Sequence, residues 1–182
     1  AQSFDDWEWI VVDDCSTDGS IQILDRLELS PKIKIIKAVH RLHCANACEL
    51  ALRHSTGEII GILDMDDVIL PNAVNEVGGL YCKYPHIDYI YTQHDICNKK
   101  LRKFKDGVSS LPAPGKSFAD MAKYKKHCYS HWRTFRRSVI SKVNYPLFEP
   151  GTKCCVDKNL GMVLEESVNG GFYNKVLYLY RW

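Results

Sequence analysis

The sequence predicts one α/β domain built on a largely parallel sheet. Three observations carry that expectation. Short β-branched apolar runs alternate with segments whose apolar residues recur at helical spacing. Two of those runs end in aspartate clusters, as expected where strands deliver their carboxyl ends to a ligand crevice. The 182 residues, 46% apolar and 25% charged, suffice for one hydrophobic core, and no repeat or linker divides them.

Trp9-Ile10-Val11-Val12 reads as a buried strand closing on Asp13-Asp14. Ser16-Thr17-Asp18-Gly19 supplies turn and cap chemistry for a helix carrying Ile21, Leu24 and Leu27. Pro31 marks its exit turn, and residues 33–36 form a second strand. Residues 45–54 are good helix formers, with Leu50 and Ala51 facing inward and Ser55-Thr56-Gly57 as the stop. A third strand, 58–63, ends on Asp64-Met65-Asp66-Asp67. Pro71 opens a helix to about Lys83, and Tyr89-Ile90-Tyr91 is a fourth strand. Residues 98–116, rich in Lys and Arg with Gly107 and two prolines, read as one long loop. Helical patterns return at 137–143 and 157–168, and 175–180 closes the chain with a strand.

The net charge of +2 gives no electrostatic case for nucleic acid or an anionic membrane as the main partner. Eight cysteines form no C-x2-C knuckle, which argues against structural zinc. They are expected to be mostly reduced, buried and inert, a disulfide-stapled secreted domain being the competing reading. No signal peptide is visible, and no apolar run approaches the ~20 residues that span a bilayer. The expected location is cytoplasmic, with any membrane association made through a bound partner.

The chemistry concentrates in acidic residues. Asp64, Asp66 and Asp67 place three carboxylates in four positions, unfavourable unless water or a cation offsets the repulsion. Mg²⁺ or Mn²⁺ takes hard oxygen ligands and is commonly shared between carboxylates and substrate phosphates. The bland alternative is a solvated acidic turn ahead of the Pro71 helix. Around Asp14, the positions of Asp14, Ser16, Asp18, Gly19 and Asp25 also suit a calcium loop. The strand before it and Asp25 where a bidentate Glu is usual argue against that. Asp64-Met65-Asp66 lacks the setting of an aspartyl-nucleophile phosphatase. Asp157 opens an amphipathic helix, either as an acid favoured by the helix dipole or as a general base. His131-Trp132-Arg133 either lines a sugar or acceptor pocket or packs as an aromatic with a satisfied histidine. The basic stretches 99–105 and 123–126 read as solvated surface able to touch an anionic lipid-linked acceptor.

With these residues in place, the chain resembles glycosyltransferase family 2, the inverting nucleotide-sugar transferases of GT-A fold. Residues 7–20, Trp7-Glu8-Trp9-Ile10-Val11-Val12-Asp13-Asp14-Cys15-Ser16-Thr17-Asp18-Gly19-Ser20, are similar to the family's W-E-x-I-V-V-D-D-G-S-T-D-G-S/T stretch. Residues 57–67 resemble its G-E-Y-I-x-x-L-D-x-D-D, Phe135-Arg136-Arg137-Ser138-Val139-Ile140 its F-R-R-S-V-L, and Leu177-Tyr178-Leu179-Tyr180-Arg181 its L-Y-x-Y-R. The four motifs, in order, span nearly the whole chain.

The resemblance implies a metal-dependent inverting transferase that moves a sugar from a nucleotide-diphosphate sugar, a UDP-sugar first, to an acceptor hydroxyl on a carbohydrate, lipid-linked or protein acceptor. It implies that Asp14 binds the nucleotide base, Asp64 sits near the ribose, Asp66 carries Mn²⁺ or Mg²⁺ with Asp67 as second candidate, and Asp157 is the catalytic base. It also implies a nucleotide-binding half of about 1–95 and an acceptor-side half of about 96–182 within one domain. Three departures stand out. The chain begins after the strand and helix that open the family's domain, so the sheet is expected to lack a central strand and expose two edges. An outside segment, or a partner subunit such as a second copy of the chain, would cover them. Cys48 and Glu49 stand where the family has Arg and Asn facing the diphosphate, and Cys15 where its turn has Gly. Two other functions fit part of this pattern: a catalytically impaired nucleotide-sugar-binding or assembly module, and a nucleotidyltransferase.

Overall fold

The structure, a computed structural model, describes residues 2–27, 30–114, 116–117, 120, 130–144, 146–153 and 156–182. Its strands are β1 (Trp9–Asp13), β2 (Ile33–Lys37), β3 (Ile59–Ile62), β4 (Val68–Ile69), β5 (Tyr89–Cys97), β6 (Lys103–Asp106), β7 (Arg133–Arg136) and β8 (Gly170–Arg181). Its α-helices are α1 (Ser20–Leu27), α2 (His43–His54), α3 (Ala73–Lys83) and α4 (Val156–Ser167), and Arg137–Ser141 forms a 3₁₀ turn.

The α/β expectation holds, but the pairing is mixed rather than largely parallel. β1 and β2 pair in parallel as a separate ladder. The main sheet runs β3-β7-β5-β8-β4, with β6 on the far part of β5. Among the described residues only β5 and β8 are parallel within it; β3–β7, β5–β7, β4–β8 and β5–β6 are antiparallel. Among the described residues, the strand-then-helix rhythm that predicts parallel pairing is interrupted from β5 to β7. There β6 and β7 return beside β5 without a crossover helix of their own among the described residues.

Several predicted segments change extent. The loop expected over 98–116 contains β6, whose Lys103 ion-pairs at 2.7 Å with both Asp95 and Asp106. The helix expected at 137–143 is a five-residue 3₁₀ turn. The closing strand begins at Gly170 rather than near 175, and β5 runs on to Cys97.

Helices cover both faces of the main sheet. Along β3, Ile60 and Ile62 turn to the core formed with Ala45 and Leu52 of α2 and Leu160 and Leu164 of α4. Ile59 and the neighbouring Leu63 turn to the core formed with Ala73, Val77 and Tyr81 of α3. The same period-two alternation sends Tyr89 and Tyr91 of β5 one way and Ile90 the other. Phe135 is fully buried at the centre of the first core.

Two arginines of the Phe135-Arg136-Arg137 segment sew the sheet to its surroundings. Arg136 donates to the Ile87 and Tyr81 carbonyls and to Glu58. Arg137 donates to the Gly57 carbonyl at 2.9 Å and to Ser55 Oγ at 2.7 Å. These bonds hold the entry to β3. Among the described residues β1 and β3 share no ladder, and Glu8 ties their starts together by accepting the Thr56 and Gly57 amides.

Gly61 lies under the Trp132 indole, where an added Cβ would come within 2.4 Å of Cζ2. Gly61→Ala is expected to destabilise the fold by about 1–3 kcal/mol, because a buried ring held between two layers has nowhere to retreat. Urea unfolding followed by tryptophan fluorescence checks this.

Candidate functional site

The site grows from the end of β3. In the β3–β7 ladder Ile62 pairs with Arg133. Continuing that antiparallel register by two residues sets Asp64 opposite His131. Side-chain contacts follow: Arg133 Nη2 donates to Asp64 Oδ2 at 2.7 Å, and His131 Nδ1 lies 3.8 Å from the same oxygen. Arg133 is 2% exposed, so its charge is held inside the protein by this carboxylate and the surrounding strand.

The turn after Asp64 is pinned to β8. The Asp67 amide donates to the Asp64 carbonyl. The Tyr178 hydroxyl donates to Asp67 Oδ2 at 2.7 Å and accepts from the Asp64 amide at 3.3 Å. The Arg181 amide donates to Asp67 Oδ1 at 2.7 Å, and β4 pairs with Leu179 and Tyr178. Asp67 is therefore buried and structurally engaged, while Asp66 is exposed. Burial raises the Asp67 carboxyl above its usual range against the lowering effect of its Arg181 and Tyr178 hydrogen bonds. Burial, the Asp64 charge and the bond to Asp67 likewise hold Tyr178 protonated.

His131 forms the floor. Its ring stacks on Tyr178 (4.6 Å between centroids, 12° between planes) and on Tyr180 (5.2 Å, 11°). His94 meets it edge-on at 5.5 Å. Burial, with the Arg133 charge and His94 close by, pushes the imidazole down to about 2, so it stays neutral. Nδ1 is buried with no hydrogen-bond partner. Asp64, Asp67 and His131 each present a ligand atom, all within 4.8 Å of one another. Of the two readings of His131, the ring has the packing of the core reading, but its Nδ1 is without the hydrogen-bond partner that reading assumes.

Asp14 occupies a different place. Its carboxylate oxygens accept the amides of Leu42 and of His43, the latter at 3.0 Å, at the start of α2. It thereby satisfies amides that α2 leaves open. From α2, Cys48 lies close enough to Asp64 and Arg133 to feel their charges. A hydrogen bond with Cys44, then burial, keeps the Cys48 thiol protonated. Glu49 instead pairs with Arg53 at 2.9 Å. Cys15 adopts a left-handed conformation (φ 59°) that costs a side-chain-bearing residue roughly 1–2 kcal/mol, and its thiol donates to the Ala38 carbonyl.

Asp157 is the second residue of α4, and its side chain lies outside the described residues, as do Cys128, Cys154, Cys155 and the basic stretch 123–126. The described cysteines, Cys15, Cys44, Cys48, Cys82 and Cys97, are free thiols. No described helix is long and apolar enough to cross a membrane.

Sequence reading found Asp64, Asp66 and Asp67 but assigned no role in this cluster to His131, Arg133 or Tyr178. Their separation in sequence from Asp64 carries no spacing signal; only the β3–β7 and β4–β8 pairings bring them together.

The chain is similar in sequence and fold to known glycosyltransferases. The WfgD glucosyltransferase of Escherichia coli, described as a UDP-Glc:alpha-D-GlcNAc-diphosphoundecaprenol beta-1,3-glucosyltransferase, is 28% identical over 98 residues, covering 53% of this chain and 38% of its own. The chain spans less than half the length of the curated relatives it matches. Among solved structures, S. aureus TarS 1–349 in complex with UDP-GlcNAc superposes with a TM-score of 0.75 at 19% identity, over 100% of this chain and 52% of that one. The mannosyltransferase PcManGT from Pyrobaculum calidifontis, in complex with GDP-Man and Mn2+, gives 0.60 at 17% identity, over 94% of this chain and 47% of that one. At these identities the two structures show a shared GT-A fold. The sequence model of glycosyl transferase family 2 matches residues 1–143, and the chain belongs to that family.

Proposed function

We propose that the chain, within its parent protein, is an inverting glycosyltransferase that moves a sugar from a nucleotide-diphosphate sugar to an acceptor hydroxyl with the help of a divalent cation. The observation that carries this reading is the convergence of Asp64, Asp67 and His131 at the end of β3, in a chain of family 2. The donor groups fit a cation: two carboxylates beside a neutral imidazole whose buried Nδ1 has no other partner. Asp66, at the exposed side, would hold the ion, with Asp67 as the second candidate. When bound, it would neutralise the diphosphate as the leaving group.

The remaining roles belong to the chain. Asp14, fixed by the amides at the start of α2, would face the nucleotide base, and Asp64 the ribose. Asp157 would take the proton of the acceptor hydroxyl as its oxygen attacks the anomeric carbon. The bond from that carbon to the diphosphate breaks on the opposite face, inverting configuration. UDP-sugars are the first donors to test, because UDP-GlcNAc occupies TarS and UDP-Glc is in the name of WfgD. That name also makes a lipid-linked diphosphate sugar the first acceptor to test, which would bring the protein to a membrane surface. A nucleotide half of about 1–95 and an acceptor half beyond it are part of this reading, as is a second copy of the chain against the edges that β1 and β3 leave unpaired among the described residues.

Calorimetry with UDP, and release of UDP from a panel of UDP-sugars, tests the reading. UDP binding is expected with Mn²⁺ and is lost with EDTA, and UDP release follows the same dependence. Binding without release or transfer would instead support the nucleotide-sugar-binding module. Equal binding with and without metal would refute the metal-dependent mechanism.

A further inference from the structure

We propose that the β5–β6 hairpin docks the protein on the surface of an anionic membrane. Lys99, Lys100, Arg102 and Lys105 meet the lipid headgroups, and Leu101 and Phe104 enter the apolar boundary beneath them. This goes beyond the transferase reading and does not rest on it, since docking needs neither donor nor acceptor.

The charge is local. Residues 98–105, Asn98-Lys99-Lys100-Leu101-Arg102-Lys103-Phe104-Lys105, hold five bases and no acid. The whole chain carries only +2, so the rest of it is net acidic and the overall balance conceals the patch. Lys103 is held by Asp95 and Asp106, while the other four bases stand on exposed positions.

Two large apolar side chains share this stretch. Leu101 is 38% exposed and Phe104 57%. Leu101 has φ 57°, a left-handed backbone that suits Gly or Asn and disfavours leucine. A turn that only reversed the chain would have no use for leucine there. Phe104 lies on a short edge strand, where a charged residue guards better against association. Bases alone would hold a phosphate polymer, whereas a bilayer interface takes up both kinds of side chain. The mixture therefore favours a lipid surface over a nucleic acid or other soluble polyanion.

The hairpin is already shaped. The Asn98 side-chain oxygen accepts the Lys100 amide at 2.9 Å and the Arg102 amide at 3.1 Å. The Asn98 carbonyl accepts the Leu101 amide at 2.8 Å, and the Asn98 amide donates to the Arg102 carbonyl at 3.0 Å. Docking then spends little on ordering the loop. Its place also suits the site. β3 and β5 both run antiparallel to β7, and β8 runs parallel to β5, so β3, β5 and β8 end on one side of the sheet. The hairpin leaves β5 just beyond Cys97, whose ladder partner Arg181 donates its amide to Asp67. A docked hairpin would set this end of the sheet toward the membrane.

Sedimentation of the full chain with vesicles of phosphatidylcholine, alone or with about one third phosphatidylglycerol, tests the proposal. Binding is expected to the anionic vesicles only, and to weaken as NaCl is raised. The double substitution Lys99→Glu with Lys100→Glu is expected to weaken it at least tenfold. Leu101→Asn with Phe104→Ser keeps every charge and is expected to weaken it about fivefold. Asn fits the left-handed turn, and thermal unfolding confirms that each variant is folded. No binding to anionic vesicles, or binding that the Lys99 and Lys100 changes do not move, overturns the proposal. Binding that responds to those changes but not to Leu101→Asn with Phe104→Ser also overturns it and reassigns the patch to a soluble polyanion.

Discussion

Asp64→Asn is expected to lower sugar transfer by about 10²–10³-fold and to remove measurable Mn²⁺-dependent UDP binding, while the protein stays folded. The amide keeps the shape of the side chain and one oxygen for Arg133, but it takes away the anionic charge at the centre of the cluster. Electrostatic assistance by a bound metal to a departing diphosphate is worth several kcal/mol, and each 1.36 kcal/mol is tenfold in rate. There is a structural cost as well. Asp64 is partly open to solvent, with its side chain 37% exposed, but Arg133 is buried and is left with a neutral partner, so the substitution costs on the order of 3 kcal/mol. Steady-state kinetics, calorimetry and thermal unfolding on one preparation separate the two effects. A variant that kept Mn²⁺-dependent transfer near the original rate would refute the placement of the site at the end of β3.

Phe135→Ala is expected to cost about 3–5 kcal/mol and to lower Tm by on the order of 10 °C. Phe135 is 0% exposed on β7, paired with Ile60 of β3 on one side and Tyr89 of β5 on the other. Its ring meets the α2 and α4 side of the core, where truncation leaves a cavity that three packed layers cannot collapse. β7 also carries Arg133 and leads in from His131, so the loss should loosen the site as well as the fold. Chemical denaturation gives the first effect, and Mn²⁺ affinity at a temperature where the variant is folded gives the second.

Legibility in the sequence followed the range of the interactions. β1, β2, β3, α1 and α3 were readable because each is a local pattern: a β-branched run, a cap, a helical period. β7 was not. Arg133-Thr134-Phe135-Arg136 carries charge at both ends and has no apolar strand pattern, yet Arg133 and Thr134 are buried. Arg133 is accommodated by Asp64 and Thr134 by Tyr81 and the Ile90 carbonyl, partners that strand pairing supplies. β6 hid in a polar segment because it is a short edge strand exposed along its length.

By itself, then, the sequence determined the α/β class, the family resemblance and the aspartates at the end of β3, because these depend on residue type and short spacing. It also located Asp14 and Asp157, whose roles rest on the resemblance. Only the tertiary structure decided that the sheet is mixed, and that His131 and Arg133 face Asp64. It alone showed that Asp67 is bound down by Tyr178 and Arg181 while Asp66 is left exposed. The physical reason is register. An antiparallel ladder fixes which distant residue stands opposite which, and no local pattern along one strand encodes its partner.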